Sequence, residues 1–218
     1  MRRVYHFCRP DHGISNLICR RLKVSTFMDL NDPFELLCHD VSDELTRKRL
    51  NQFKRVVSSK HGLLCFSKSF HSPVQWAHYA DRHRGLCLGF DVPSDFVGDV
   101  AYTSKRLSFN ASALDLANGF SRQVSELFMT KYKHWSYEQE VRMLGDLKVP
   151  DPESGLYFAS FNESLVLKEV LVGSQSELSR ADLVGALGPL CDSVKLFKVR
   201  AAFKSYKMVK NRDSSLWV

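Results

Sequence analysis

Trp135-Ser136-Tyr137-Glu138-Gln139-Glu140-Val141-Arg142 constrains the fold more than any other stretch of this chain. Read as a β-strand over 135–145, its side chains alternate between two faces. Trp135, Tyr137, Val141 and Met143 then pack on one face, and Glu138, Glu140 and Arg142 share the other. Carboxylates two residues apart on a strand lie roughly 6.5–7 Å from each other. They repel, and neither goes deep into a protein without a partner. Such a face suits a site that stabilises positive charge or activates an acceptor. It also suits a one-sided antiparallel strand with its charged face in water.

With 218 residues, 44% hydrophobic and 25% charged, the chain has the length and composition of one soluble globular domain, 1–218. No apolar run approaches a membrane span, so no membrane partner is expected. Met1-Arg2-Arg3-Val4-Tyr5-His6-Phe7 has no apolar signal core and reads as a first strand. Cys8, Cys19, Cys38, Cys65, Cys87 and Cys191 are scattered, with no Cys-x-x-Cys pair. Free thiols in a reducing cytoplasm are expected, ahead of disulfides or zinc. The net charge of +7 permits a polyanionic partner. The basic residues are densest in the C-terminal strands and tail, 193–218. There Lys195, Lys198, Arg200, Lys204, Lys207, Lys210 and Arg212 interleave with Phe197, Phe203 and Tyr206.

Helices are expected at Ile14–Ile18 and, with Leu50, Phe53 and Val57 inward, around residue 53. Ser72-Pro73-Val74-Gln75 supplies an N-cap, a first-turn proline and a capping-box Gln for a helix through Trp76 and Ala80. The longest helical spacing runs Ala113, Leu116, Ala117, Phe120, Val124, Leu127, Phe128. Ser179 with Asp182 opens a last helix through Leu183 and Leu187. Strands are expected at 3–8, 22–26, 62–67, 85–91, 99–103, 135–145, 155–159, 166–173, 193–199 and 202–209. They do not alternate regularly with the helices. That pattern argues for an α+β fold with a mixed, mainly antiparallel sheet and flanking helices. No Gly-rich nucleotide motif occurs.

Four further motifs carry candidate chemistry. Asn31-Asp32-Pro33-Phe34-Glu35 is a turn that either caps backbone or lines a site. Ser67 and Ser69 end the apolar strand Leu63–Phe66 on one face. The stretch Trp76-Ala77-His78-Tyr79-Ala80-Asp81 puts aromatic and polar groups at a helix end, before the buried strand Leu86–Phe90. His78, Asp81 and His83 lack the spacing of a self-sufficient metal site, and no metal is expected.

The blocks Asn31–Glu35, Cys65-Phe66-Ser67, Trp76–Asp81, Gly85–Phe90 and Trp135–Arg142, in that order, resemble a bacterial domain-of-unknown-function family, number twenty-nine seventy-one, over roughly residues 3–175. More distantly, the order of motifs is similar to that of mono-ADP-ribosyltransferases. Those enzymes carry a basic residue on the first strand, a strand-ending Ser-x-Ser, and Glu-x-Glu or Gln-x-Glu. Here His6 or Arg9, then Ser67-Lys68-Ser69, then Glu138-Gln139-Glu140 occupy those places, with Lys68 where Thr is usual.

The second resemblance implies an ADP-ribosyltransferase-like fold and a transferase with NAD as substrate. Glu140 would stabilise the oxocarbenium-like ribose and hold a ribose hydroxyl, and Glu138 would activate the acceptor. His6 or Arg9, Ser67, Ser69 and Asn31 would line the NAD site, with Tyr79 or Trp76 stacking on nicotinamide. The acceptor would be a protein or nucleic acid, in a toxin or phage-defence role. Two other expectations stand beside this one. The first is a non-enzymatic nucleotide- or nucleic-acid-binding module of the same fold, and the second is plain NAD hydrolysis. Under the transfer reading, Glu140→Gln is expected to abolish activity and leave the fold intact.

Overall fold

The computed structural model describes residues 1–108, 122–213, Ser215 and Trp217. Along the chain the elements are β1 (Arg2–Cys8), α1 (Pro10–Cys19), β2 (Arg21–Thr26), α2 (Glu44–Ser58), β3 (His61–Ser67), α3 (Pro73–Tyr79), β4 (Leu86–Val92), β5 (Gly98–Asp99) and β6 (Ala101–Thr103). After the undescribed stretch come α4 (Arg122–Met129), β7 (Thr130–Tyr132), β8 (Glu140–Asp146), β9 (Tyr157–Ser160), β10 (Val166–Val172), α5 (Arg180–Leu187), β11 (Lys195–Ala201) and β12 (Met208–Lys210). The fold is α+β, with mixed, mainly antiparallel strand pairing, as the irregular order of helices and strands implies. The part of the long helical spacing from Ala113 to Phe120 lies outside the described residues, and its remainder forms α4.

Contacts divide the chain into two compact units. The first comprises Met1–Leu22, Cys65–Phe96 and Ala159–Val218. Its centre is β4, which pairs antiparallel with β1 on one side and β10 on the other. β10 runs parallel to β11 across the α5 crossover, and β11 turns back into the short β12. Both faces of β4 are covered, so it reads as a continuous apolar run, Leu86 to Phe90, rather than an alternating one.

Local chemistry sets the ends of its helices. The Ser72 hydroxyl accepts from the Gln75 amide, and Pro73 opens α3. The Gln75 side chain reaches across to β3, where its Nε2 donates to Ser67 Oγ at 3.1 Å. Ser179 and Asp182 do form a reciprocal capping box on α5. Leu17 of α1 is buried, whereas Ile18 is exposed. After α3 the chain takes an unusual course, with Asp81, Arg82 and His83 all at positive φ (43°, 54° and 69°). It then reaches Gly85, where any Cβ would stand 2.1 Å from the Cys8 carbonyl oxygen, so only glycine fits the approach to β1.

The second unit comprises Lys23–Leu64 and Val97–Phe158. α2 is capped by Asp43, whose carboxylate accepts from the Thr46 amide at 2.7 Å, and it buries Leu50, Phe53 and Val57. The Phe128 ring of α4 stands 5.0 Å from that of Phe27 and 6.3 Å from that of Phe53. α4 leads into β7, which pairs parallel with β6, while β5 pairs antiparallel with β8. This core fixes the positions of β7 and β8, the two strands that carry the charged residues described next.

Candidate functional site: a buried charge cluster beside a basic, aromatic pocket

The expected strand over 135–145 is replaced by two elements. Residues Lys133–Glu138 form a 3-10 helix, Gln139 takes a left-handed conformation (φ 46°), and only then does β8 begin at Glu140. Glu138 is therefore not on the strand face with Glu140 and Arg142. The left-handed turn at Gln139 nevertheless brings the two carboxylates to one point, the ammonium of Lys131 on β7. Lys131 Nζ lies 2.6 Å from Glu138 Oε2 and 3.1 Å from Glu140 Oε2.

The cluster continues inward. Arg142 Nε donates to Glu140 Oε1 at 2.8 Å, and its Nη2 to Glu140 Oε2 at 3.1 Å. The same guanidinium grips Glu35 through two parallel bonds, 2.5 and 2.9 Å, and donates to the Phe128 carbonyl at 2.6 Å. Glu35 ends the Asn31–Glu35 turn, and its bonds to Arg142 set that turn beside β8. Asp32 holds the turn by accepting from the Phe34 amide at 2.9 Å. Arg142 is 1% exposed, Glu35 1%, Glu140 4%, and Lys131 and Glu138 7% each, so the face is neither solvated nor open. Three carboxylates and two cations alternate, which is how charges survive burial. Lys131 also sits 5.1 Å above the Trp135 ring. The Glu140 amide donates to the Tyr102 hydroxyl at 2.8 Å.

These neighbours set the protonation states. Burial pushes the Glu140 carboxyl up, but Arg142 and Lys131 together outweigh it and hold the group below its ordinary value of 4.5. Burial alone would lower Lys131 and Arg142; their carboxylate partners raise both instead. Burial pushes the Tyr102 hydroxyl up to about 12.

The expectation that Glu140→Gln leaves the fold intact is therefore corrected. A depressed carboxylate stabilises the fold fully above its unfolded value, and that contribution fades as pH falls through the folded value. Glu140→Gln should cost about 1.5–3 kcal/mol at pH 7, the worth of hydrogen bonds to charged groups. Thermal unfolding from pH 7 to pH 3 should show the gap between wild type and variant closing below the ordinary carboxyl value of 4.5. A gap independent of pH would contradict the charge assignment.

Beside the cluster lies a pocket of about 340 Å³, lined by Phe34, Leu37, Cys38, Thr103, Ser104, Lys105, Arg106, Thr130, Lys131 and Tyr132. Arg106 is held in place there. Its Nη1 donates to the carbonyls of Leu37 and His39, and its guanidinium lies 5.2 Å from the Phe34 ring centre. Lys131, Arg106 and a further arrangement at Cys38 are not among the residues expected from the sequence. That thiol lies 3.3 Å from His39 Nδ1, and His39 Nε2 lies 3.6 Å from Glu126. The adjacent Cys38-His39 pair was the available signal. Burial pushes the thiol up to about 12 and the imidazole down, so the pair is neutral near pH 7 rather than a thiolate–imidazolium.

The other expected site residues fall in the first unit. Ser67 is buried; its hydroxyl donates to the Ser69 carbonyl and accepts from the Ser69 amide and Gln75. Ser69 Oγ accepts from the His71 amide. Both serines thus fasten the turn into α3. His6 Nδ1 lies 3.1 Å from the Cys65 carbonyl, and burial lowers its imidazole pKa. Arg9 is exposed and pairs with Asp11 at 3.3 Å. Trp76 has no face left for a stacking ligand: it is 0% exposed and donates to the Phe70 carbonyl at 2.6 Å. Tyr79 is half-buried, with its ring 6.2 Å from that of His78. Of the expected residues, Glu138, Glu140 and the exposed Asn31 belong to the second unit. Among the described residues, no group of three His, Cys, Asp or Glu is placed to hold a metal ion.

Comparison with known proteins agrees with the family resemblance. Residues 75–143 match the model of the family described as Protein of unknown function (DUF2971). The match runs from α3 to β8 and includes Lys131, Glu138, Glu140 and Arg142. It is shorter than the span suggested by the motif blocks, and the blocks before residue 75 rest on their own residues. No curated protein and no solved structure matches the chain.

Proposed function

We propose that the second unit binds a nucleotide-like ligand, a phosphorylated molecule with a planar ring. The observation that carries this reading is the pocket lining: Lys105, Arg106 and Lys131 beside the rings of Phe34 and Tyr132. Cations answer phosphate, and an aromatic wall answers a base. The volume of about 340 Å³ lies within the ordinary range of small-molecule sites. Because Lys131 is already shared by Glu138 and Glu140, Arg106 and Lys105 carry the anion recognition.

NAD is a ligand of this class, and one observation favours the transfer reading. The two carboxylates of Glu138-Gln139-Glu140 converge on the lysine that lines the pocket. In that reading the protein has an ADP-ribosyltransferase-like fold. Glu140 stabilises the cationic ribose, and Glu138 accepts the proton of the acceptor. Arg142 and Lys131 already answer much of the Glu140 charge, so the geometry supports binding more strongly than turnover.

Titration calorimetry with ADP and with NAD tests both readings, with released nicotinamide followed in parallel. Wild type should bind, and Lys105→Gln and Arg106→Gln should each weaken binding by about tenfold or more, as expected for a lost charge-assisted hydrogen bond. Absence of binding to either compound contradicts the proposal. Nicotinamide release that disappears in a folded Glu140→Gln protein supports transfer or hydrolysis, and binding without release supports the binding module.

A further inference from the structure

We infer that the tip of the β11–β12 hairpin in the first unit is a docking site for single-stranded nucleic acid. The expected strand over 202–209 is not formed; only Met208–Lys210 pair with β11. The Ala202 amide donates to the Lys207 carbonyl at 2.9 Å and closes a tip of four residues, Phe203-Lys204-Ser205-Tyr206. Phe203 is 90% exposed and Tyr206 99%. Two aromatic rings held in water on one short tip need a reason, since packing supplies none.

The tip is anchored. Met208 and Val199 at its base are buried with Trp76 and Phe70 in one apolar cluster. The Met208 amide donates to the His71 carbonyl at 2.8 Å, and His71 Nδ1 lies 2.6 Å from the Met208 carbonyl. The rings therefore project from a rigid base, and little order has to be created on binding.

Charge names the partner. From Lys195 to Arg212 there are seven Lys or Arg and no Asp or Glu. Lys198 and Lys210 are occupied at the base, the first by the Ser176 carbonyl and the second by Glu169. Lys204 and Lys207 are exposed at the tip, and the Arg200 guanidinium lies 4.1 Å from the Phe203 ring centre. Exposed rings spaced by cations match unstacked bases on a phosphate backbone. A duplex hides its base faces and offers these rings nothing. A bilayer would have to accept Lys204 and Ser205 together with the rings that flank them, which is costly for the ammonium. A cavity of about 570 Å³ opens beside the tip, lined by Pro73 and residues 201–208, with room for a base next to the rings.

Fluorescence anisotropy of a labelled twenty-nucleotide oligothymidylate with the full chain tests this site. It also keeps it separate from the nucleotide pocket, because Arg106→Gln should leave oligonucleotide affinity unchanged. Wild type should bind, and the Phe203→Ala/Tyr206→Ala double variant should bind about tenfold or more weakly with its thermal stability unchanged. The Lys204→Gln/Lys207→Gln variant should reduce the slope of log affinity against log salt by about 1.4, two single-strand contacts' worth. Equal affinity of the aromatic double variant and the wild type would overturn the inference. So would wild type that ignores the oligonucleotide but binds vesicles of phosphatidylserine and phosphatidylcholine.

Discussion

Arg142→Met should destabilise the protein by about 3–5 kcal/mol, because it leaves Glu35 and Glu140 buried without their shared cation. Denaturant unfolding of the purified chain measures this directly. The cost comes from orphaned charge more than from lost packing, and a second substitution separates the two. Adding Glu35→Gln to Arg142→Met removes one of the stranded carboxylates and should recover part of the loss. Arg142→Lys should also fall well short of wild type. A single ammonium cannot reproduce the paired bonds to Glu35, the two bonds to Glu140 and the bond to the Phe128 carbonyl. A loss below about 1 kcal/mol for Arg142→Met would mean that the cluster is solvated like a surface pair.

Trp76→Ala should cost a similar amount, about 3–5 kcal/mol, through the cavity left in the first unit. Trp76 meets Phe7 edge to face at 5.3 Å and satisfies the Phe70 carbonyl. Trp76→Phe keeps much of the ring contact and loses the indole bond, so about 1–3 kcal/mol should go, the penalty of an unsatisfied buried carbonyl. Thermal unfolding ranks the three proteins. If Trp76→Ala were as stable as wild type and impaired only in ligand binding, the residue would belong to a site rather than to the core.

Much of this fold was legible because its signals are local. Ser72-Pro73 and Ser179 with Asp182 mark helix starts through bonds made within one turn. Leu50, Phe53 and Val57 mark the inward face of α2 through spacing alone. The octad at 135–142 departs from the expected strand for an equally physical reason. Trp135 and Tyr137 alternate as a strand would, but the same residues fit a 3-10 turn, and the switch sits at Gln139, whose identity does not announce a left-handed conformation. The tip at 203–206 departs from the expected strand similarly, because Phe203 and Tyr206 carry strand propensity while packing against no core.

The candidate site was half legible. Glu138 and Glu140 stood out because paired carboxylates demand partners. The partners themselves were beyond a local reading: Glu35 lies 107 positions from Arg142, and Lys131 is an ordinary lysine until β7 sets it beside β8. The serines were legible as strand-ending polar groups, but their part in fastening the turn into α3 depends on where Gln75 points.

A crystal structure of the protein soaked with ADP decides whether the pocket of the second unit takes a nucleotide. Phosphate oxygens should lie within about 3 Å of Arg106 and Lys105, with the base against Phe34 or Tyr132 and the Lys131 cluster undisturbed. Nucleotide bound elsewhere on the chain, with this pocket empty at saturating ADP, would contradict it.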